Sequence, residues 1–98
     1  MSTTTIENNA VLTLTVNNHA GVLSHICGLF ARRAYNIDSI IALPQGDGAI
    51  SQVLVLVKEN GKLDQIIRQT QKLVDVIQVQ RNDADIDMFQ NLYKIRDM

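Results

Sequence analysis

Hydrophobic residues repeat with two different periods along this chain, and the order of those periods constrains the fold more than any other feature of the sequence. Residues 10–17 (AVLTLTVN) alternate with a period of two, which predicts a strand. Leu12, Leu14 and Val16 would share one face of that strand. Residues 21–35 instead carry apolar side chains three and four positions apart, which predicts an amphipathic helix.

Strand-forming residues and turn signals predict the elements that follow. Residues 36–43 (NIDSIIAL) and Ile50–Lys58 (ISQVLVLVK) are rich in β-branched residues, which predicts two strands. Pro44 and the Gln-Gly-Asp-Gly that follows it can turn the chain between them, so we predict a hairpin. Asn60 can cap a second amphipathic helix, and residues 74–81 (VDVIQVQR) predict a last strand.

The predicted order of elements, βαββαβ, restricts the fold to few topologies. With two right-handed crossovers it gives an antiparallel sheet in the order 4-1-3-2 with both helices on one face, the ferredoxin-like α+β sandwich. Residues 10–81 would form this domain. The opposite face of the sheet would carry Val11, Thr13 and Thr15, so it must be covered or face water.

The C-terminal tail, residues 82–98, has a pattern of its own. It opens with an acidic segment and then places hydrophobic residues at helical spacing, which predicts an amphipathic helix. Those residues are Ile86, Met88, Phe89, Leu92, Tyr93 and Ile95. Two roles remain open from the sequence: the tail covers the second face of its own sheet, or it presents an apolar surface to a partner.

Composition narrows the classes of partner. The 98 residues, 46% of them hydrophobic, suit one globular domain, and nine Lys and Arg against ten Asp and Glu provide no basic face for nucleic acid. The RNA-recognition motif has the same order of elements, but residues 10–17 and Ile50–Lys58 lack the aromatic residues on which it stacks bases. The apolar run 53–57 is too short to span a membrane, and residues 1–9 do not resemble a signal peptide, so we expect a cytoplasmic protein.

The chain offers no convincing catalytic or metal-binding group. His25 and Cys27 lie two positions apart on the first predicted helix, so their side chains diverge by about 200°. We therefore expect no joint metal site, with Cys27 acting as a small core or semi-buried filler and His25 facing solvent. Asp83, Asp85 and Asp87 are interpreted as a solvated run. We expect a protein that is not itself an enzyme.

The turn before the first helix is the strongest candidate for a binding site. Gly21 at a helix start places unpaired backbone N–H groups and the positive end of the helix dipole together, which favours a small anionic group such as a carboxylate. The structural alternative is that Asn18 caps the helix and Gly21 only permits the turn. Gly28 also needs an explanation, because a glycine inside a helix lowers helix stability by about 1 kcal/mol relative to alanine. It either allows close packing against a strand or another subunit, or it is tolerated.

The segment NHAGVLSHICGLFARRAYNIDSI resembles the start of the small regulatory subunits of acetohydroxyacid synthase, also called acetolactate synthase. KLVDVIQVQR resembles their fourth strand, and the similarity covers residues 11–81. The combination of N-x-x-G-V-L, G-L-F-x-R-R and Y-N-I is more specific than any one of these motifs. The subunits of this family are ACT domains, so the resemblance implies the same fold that the periodicity predicts.

The resemblance also implies a site. In the family, two ACT domains pair side by side and an amino-acid effector, usually L-valine, binds between the first loop of one subunit and the second strand of its neighbour. Matched by motif, the loop would contribute Asn18, His19, Ala20, Gly21, Val22 and Leu23. Asn36 and Ile37 of the second copy would complete the site. The turn would then receive the α-carboxylate and α-amino groups of a branched-chain amino acid.

The function implied is that of a non-catalytic subunit that activates the large catalytic subunit and transmits feedback inhibition by valine. Thiamine diphosphate, Mg²⁺ and FAD would belong to the catalytic subunit, with no cofactor in this chain. The chain stops at Met98, where many small subunits continue into a second domain, so we expect the short, single-ACT type. The alternatives are an amino-acid-binding ACT module that regulates a different enzyme, and a small enzyme on a ferredoxin-like scaffold.

Overall fold

The computed structural model describes residues 9–82 and 86–96 of the chain. Its helices and strands follow the predicted order, with one further helix after the last strand. They are β1 (Asn9–Asn17), α1 (Val22–Arg32), β2 (Ile37–Gln45), β3 (Ile50–Lys58), α2 (Leu63–Gln71), β4 (Val76–Arg81) and α3 (Ile86–Arg96).

The strands of the described residues form one antiparallel sheet in the order β2-β3-β1-β4. This is the predicted order 4-1-3-2 counted from the other edge, so the predicted fold class is confirmed. Asn17 pairs with Ile50 at one end of the two central strands, and Asn9 pairs with Lys58 at the other end. β2 and β4 are therefore the edge strands of the sheet.

The main core lies between the sheet and the helices α1 and α2. The even-numbered residues of β1 face it as predicted, with Leu12, Leu14 and Val16 fully buried. Val53, Val55 and Val57 of β3 lie on the same side, since antiparallel partners share a face. The helices contribute the buried side chains Val22, Ile26, Leu29, Phe30, Leu63 and Ile66.

The second face of the sheet is partly covered by α3. Phe89 is fully buried there against Val11, Leu54 and Leu56. Met88 packs at the edge of this cluster, and Leu92 is 45% exposed. Of the two roles left open for the tail, the structure therefore shows the first: α3 covers its own sheet. The predicted contributions of the Ile86, Tyr93 and Ile95 side chains, and of residues 83–85, 97 and 98, lie outside the described residues.

Several predicted boundaries were wrong by a few residues. α1 ends at Arg32 rather than at residue 35, because Ala34 takes a left-handed conformation with φ 56° that a helix cannot continue through. β2 continues through Pro44 to Gln45. Proline is tolerated there because β2 is an edge strand, where a missing N–H need not break the ladder. β4 begins at Val76, and Val74 is 89% exposed.

The predicted cap of α2 and the predicted burial of Cys27 were also wrong. Lys62, not Asn60, is the N-cap residue of α2, and the Lys62 N–H donates to Asn60 Oδ1 at 2.7 Å within the preceding turn. Cys27 is exposed. It follows the buried Ile26 by one residue, which rotates its side chain by about 100° away from the core. His25 is exposed, as predicted.

Candidate functional site

Gly21 sets the geometry of the turn between β1 and α1. It is the N-cap residue of α1 and has φ 87° and ψ −4°, a left-handed conformation that costs other L-residues about 1–2 kcal/mol. A Cβ atom added at Gly21 would meet no heavy atom within 4 Å. The backbone conformation, rather than lack of space, therefore explains why glycine occurs at this position.

Asn18 fixes the turn to the hairpin between β2 and β3 instead of capping the helix. Its backbone N–H donates to Ala49 O at 2.9 Å, and its side-chain Nδ2 donates to Gly48 O at 2.8 Å. The alternative in which Asn18 caps α1 is therefore wrong. The Asn18 Nδ2 bond leaves the side-chain Oδ1 as an acceptor at the mouth of the turn.

The N-terminus of α1 is not capped by any side chain that the structure describes, and its first turn contains no acidic residue. The Val22 N–H donates to His19 O at 3.2 Å, whereas the N–H groups of Leu23 and Ser24 lie in the first turn, where a helix has no carbonyl to accept them. Leu23 and Ser24 are both exposed. These N–H groups and the positive end of the helix dipole can bind one small anionic group.

A concavity of about 170 Å³ opens at this helix terminus. The predicted residues Asn18, His19, Gly21, Val22 and Leu23 line it. Ala20 is exposed in the same turn but does not form part of the wall. The structure thus brings five of the eight predicted site residues together around one cavity.

The rest of the wall was not predicted. Ser24 comes from α1, Val16 from β1, Ala42 from β2, and Ser51 and Val53 from β3. Val16 and Val53 are fully buried and give the cavity an apolar floor, while Ser51, only 3% exposed, adds a hydroxyl. The order 4-1-3-2 was a usable signal for Ser51, since it places the start of β3 beside the end of β1.

Asn36 and Ile37 lie at the opposite end of the sheet. Ile37 pairs with Val57, whereas the turn at Asn18 lies next to Ile50. Those two positions are seven residue steps apart along β3, a distance of roughly 23 Å in an extended strand. A single chain therefore does not bring Asn36 and Ile37 to the cavity. Asn36 is exposed, and Ile37 packs partly against the core.

The last strand supports the turn from the other side. The Asn17 N–H donates to Asp75 O at 2.8 Å, and the Asp75 carboxylate lies 3.7 Å from His19 Nε2. His19 is largely exposed, with 67% of its side chain accessible. The turn is thus held by the β2–β3 hairpin and by the segment that enters β4, while its outer surface stays open.

Across residues 9–82 and 86–96, no three His, Cys, Asp or Glu side chains lie close enough together to hold a metal ion. None of the helices described is long and apolar enough to cross a bilayer.

Comparison with known proteins identifies the family. Residues 12–78 match the family model of the AHAS small subunit-like ACT domain, in which AHAS stands for acetohydroxyacid synthase. The acetolactate synthase isozyme 1 small subunit of Escherichia coli K12 is 48% identical over 88 residues, which cover 90% of this chain and 92% of that protein. The isozyme 3 small subunit of the same organism is 39% identical over 70 residues, but the match covers only 43% of its length.

Solved structures agree with this assignment. The crystal structure of the acetolactate synthase small subunit from Thermotoga maritima matches with a TM-score of 0.67 and 34% identity over 74% of this chain and 46% of that one. The ACT domain of GTP pyrophosphokinase from Chlorobium tepidum matches with a TM-score of 0.60 at 23% identity, which supports the fold alone. The chain therefore belongs to the family of AHAS small subunit-like ACT domains.

Proposed function

We propose that this chain is the regulatory subunit of an acetolactate synthase and that it binds a branched-chain amino acid, L-valine in the first instance, at the N-terminus of α1. The observation that carries the proposal is the 170 Å³ concavity at a helix terminus without a side-chain cap, lined by five of the eight residues that the family resemblance assigns to the effector. The similarity to acetolactate synthase small subunits names the enzyme.

The chemistry of the concavity matches the three parts of an α-amino acid. The N–H groups of Leu23 and Ser24 suit the α-carboxylate. The Oδ1 atom of Asn18 is an acceptor for the α-ammonium group. The apolar floor formed by Val16 and Val53 suits a short branched side chain, whose burial contributes about 1.5–3 kcal/mol.

A second copy of the chain would complete the site. β2 is an edge strand, and an edge can pair with its own copy across a two-fold axis. Antiparallel pairing of two β2 strands about Ile41 would set Ile37 of one copy opposite Gln45 of the other. Gln45 pairs with Ile50, which pairs with Asn17 next to the turn. The homodimer would therefore carry Asn36 and Ile37 across the sheet to the other copy's concavity.

Catalysis belongs to the large subunit in this proposal. We assign thiamine diphosphate, Mg²⁺ and FAD to that partner and none of them to this chain. The chain acts by coupling valine binding to the activity of the large subunit. Valine regulates the assembly only if its affinity for the chain differs between two states of the assembly. A typical coupling free energy of about 1–3 kcal/mol is within reach of a few rearranged interface contacts. An effector held between two copies can supply this coupling by changing how the copies are oriented.

Reconstitution tests the function. The full chain is added to the purified catalytic large subunit of the acetolactate synthase encoded in the same genome, and acetolactate formation is followed with and without valine. We expect the chain to co-purify with the large subunit, to raise its activity and to make it sensitive to valine. Valine binding by a chain that neither associates with nor activates this subunit would point to an ACT module of a different enzyme. Acetolactate formation by the chain alone would contradict the non-catalytic role.

A further inference from the structure

A second and larger concavity lies at the other end of α1. It has a volume of about 330 Å³, at the low end of the range of about 300–1,000 Å³ typical of small-molecule sites. Its wall is built from the end of α1, the residues that follow it, the N-cap residue of α2 and one side of α2 as far as Gln69. The wall residues are Arg32, Arg33, Ala34, Tyr35, Lys62, Gln65, Ile66 and Gln69.

The charge of this wall is the notable feature. Arg32, Arg33 and Lys62 bring three of the chain's nine Lys and Arg to one cavity, although the whole chain has a net charge of −1. None of the three belongs to an ion pair formed among the described residues. Like charges held together without a counterion raise the local potential and favour an anionic ligand.

Neighbouring acids do not neutralise the wall. Glu59, just before α2, pairs with Arg81, although its charge also reaches Tyr35 of the wall and, after burial, helps to raise the pKa of that hydroxyl. Asp38, at the start of β2, pairs with Lys58 at 3.5 Å. Asp64 is in the first turn of α2 but outside the wall. Of these three acidic residues, Glu59 and Asp38 therefore form ion pairs with cations outside the wall, and Asp64 does not line the cavity.

The wall also offers directed donors and an apolar patch. Arg33 Nη2 donates to Gln69 Oε1 at 3.2 Å, which links the end of α1 to α2 and leaves further guanidinium N–H groups for a ligand. Ile66, only 2% exposed, lies at the bottom.

We infer that this basic cavity, formed by Arg32, Arg33 and Lys62 between the end of α1 and the start of α2, binds a small organic phosphate. A phosphate monoester carries about −1.5 to −2 charges at pH 7 and three acceptor oxygens, which suit the remaining guanidinium N–H groups of Arg33 and the ammonium group of Lys62, with the positive charge of Arg32 beside them. The cavity has room for an organic part against Ile66 beside the phosphate. The cavity is separated from the candidate effector site by the length of α1, roughly 16 Å, and the inference does not depend on valine binding there.

Titration of the full chain with ribose 5-phosphate tests this inference. Backbone amide shifts are recorded by NMR at constant ionic strength, without valine, and inorganic phosphate and citrate are titrated in parallel. We expect saturable binding of ribose 5-phosphate, with shifts centred on Arg33, Lys62 and Gln65. The Arg33→Gln and Lys62→Gln variants should each bind about tenfold more weakly, the loss expected for one charge-assisted hydrogen bond.

Arg68→Gln is the matched control, since Arg68 is an exposed cation on α2 that does not line the cavity. It should bind ribose 5-phosphate like the unmodified chain. An equal loss in Arg68→Gln would show that only overall charge matters and would overturn the site. Absence of saturable binding, or shifts located elsewhere, would also overturn it. Citrate or inorganic phosphate binding as tightly as ribose 5-phosphate would contradict the assignment to an organic phosphate.

Discussion

Gly21 and Gly28 lie near each other on the chain, but different physical reasons place glycine at the two positions. Gly21 has φ 87°, which favours glycine whatever the surroundings. Gly28 has an ordinary helical backbone, and a Cβ added there would meet only the Arg32 Nη1 atom at 3.3 Å. Neither a strand nor another backbone in the described chain approaches it. Within one chain, the structure thus favours the second explanation for Gly28, a tolerated glycine.

Gly28→Ala should stabilise the protein. Alanine gains up to about 1 kcal/mol in a helix relative to glycine, and the end of the Arg32 side chain can move a few tenths of an ångström to make room. Urea unfolding should show a higher free energy of unfolding for the variant. A clear loss of stability would mean that Gly28 packs against something outside the single chain.

Gly21→Asp should abolish the valine response and leave the fold intact. The new carboxylate would lie beside the N–H groups that we assign to the ligand's own carboxylate, and the two negative charges repel. Valine titration by calorimetry and thermal unfolding measure the two effects separately. Gly21→Ala is the control, because it imposes the same backbone strain at φ 87° and its Cβ would meet no heavy atom within 4 Å, but it adds no charge. Unchanged valine affinity in Gly21→Asp would remove this turn from consideration as the site.

Tyr35 gives the fold a dependence on alkaline pH. Burial raises the pKa of its hydroxyl above the ordinary 10.0, and the hydroxyl donates to Lys58 O. The unfolded chain therefore loses this proton first, so the stabilisation is complete below the unfolded pKa and is lost as pH rises through the folded pKa. Tyr35→Phe should cost about 0.5–1.5 kcal/mol at neutral pH, with a difference that shrinks above about pH 10. Urea unfolding at several pH values checks this, and a constant difference would contradict it.

The environment of a single residue was predictable where it depends only on the position of that residue in its own helix or strand. It was poorly predictable where it depends on a partner far away in the sequence. The exposure of His25 follows from helical spacing. The exposure of Cys27 follows from the same spacing, because one residue after the buried Ile26 the side chain points away from the core, but the apolar character of cysteine predicts burial. The Asn18 side chain bonds to Gly48, 30 residues away in the next hairpin. Local rules favour a helix cap for that asparagine, because they contain no information about the hairpin.

Among the elements, α3 has the clearest structural role. Its Phe89 is fully buried on the second face of the sheet, against Val11, Leu54 and Leu56. Truncation after Arg81 would expose that apolar cluster to water. The spacing of the tail predicted a helix, but it could not say whether the sheet or a partner receives it, because both surfaces are apolar.

Phe89→Ala should lower the free energy of unfolding by about 3–5 kcal/mol, the cost of a cavity left by a buried phenylalanine. Leu92→Ala on the same helix is the control, since Leu92 is 45% exposed and its truncation should cost far less. Urea unfolding of both variants measures the difference. Equal effects would mean that α3 does not hold the sheet face through Phe89.

Strand order was more predictable than strand ends. The order 4-1-3-2 follows from the alternation of periods and the handedness of crossovers, which act over whole elements. The end of β2 depends on tertiary context: Pro44 reads locally as a strand breaker, yet the chain continues because the edge position tolerates the missing N–H. The start of β4 is similar, as the buried Val76 and not the exposed Val74 enters the sheet.

At the scale of the whole molecule, one chain does not bring together the eight residues that the family resemblance assigns to the site. The concavity holds the residues of the first turn, while Asn36 and Ile37 lie roughly 23 Å away along the sheet. Nothing in the residues themselves predicts that the two sets belong together; only the resemblance to the family does. The edge position of β2 makes a two-fold dimer the simplest arrangement that unites them.

Mixing two damaged variants tests this claim most directly. Gly21→Asp and Asn36→Ala, which we expect to weaken valine binding by about 1–3 kcal/mol, are allowed to exchange subunits and are titrated with valine by calorimetry. If each site combines a turn from one copy with Asn36 from the other, a mixed dimer has one doubly altered site and one intact site. Random exchange of equal amounts should then restore tight binding to about a quarter of all sites. If both parts of the site came from the same chain, every site would carry one substitution, and a mixture that shows no tight binding after exchange would contradict the account.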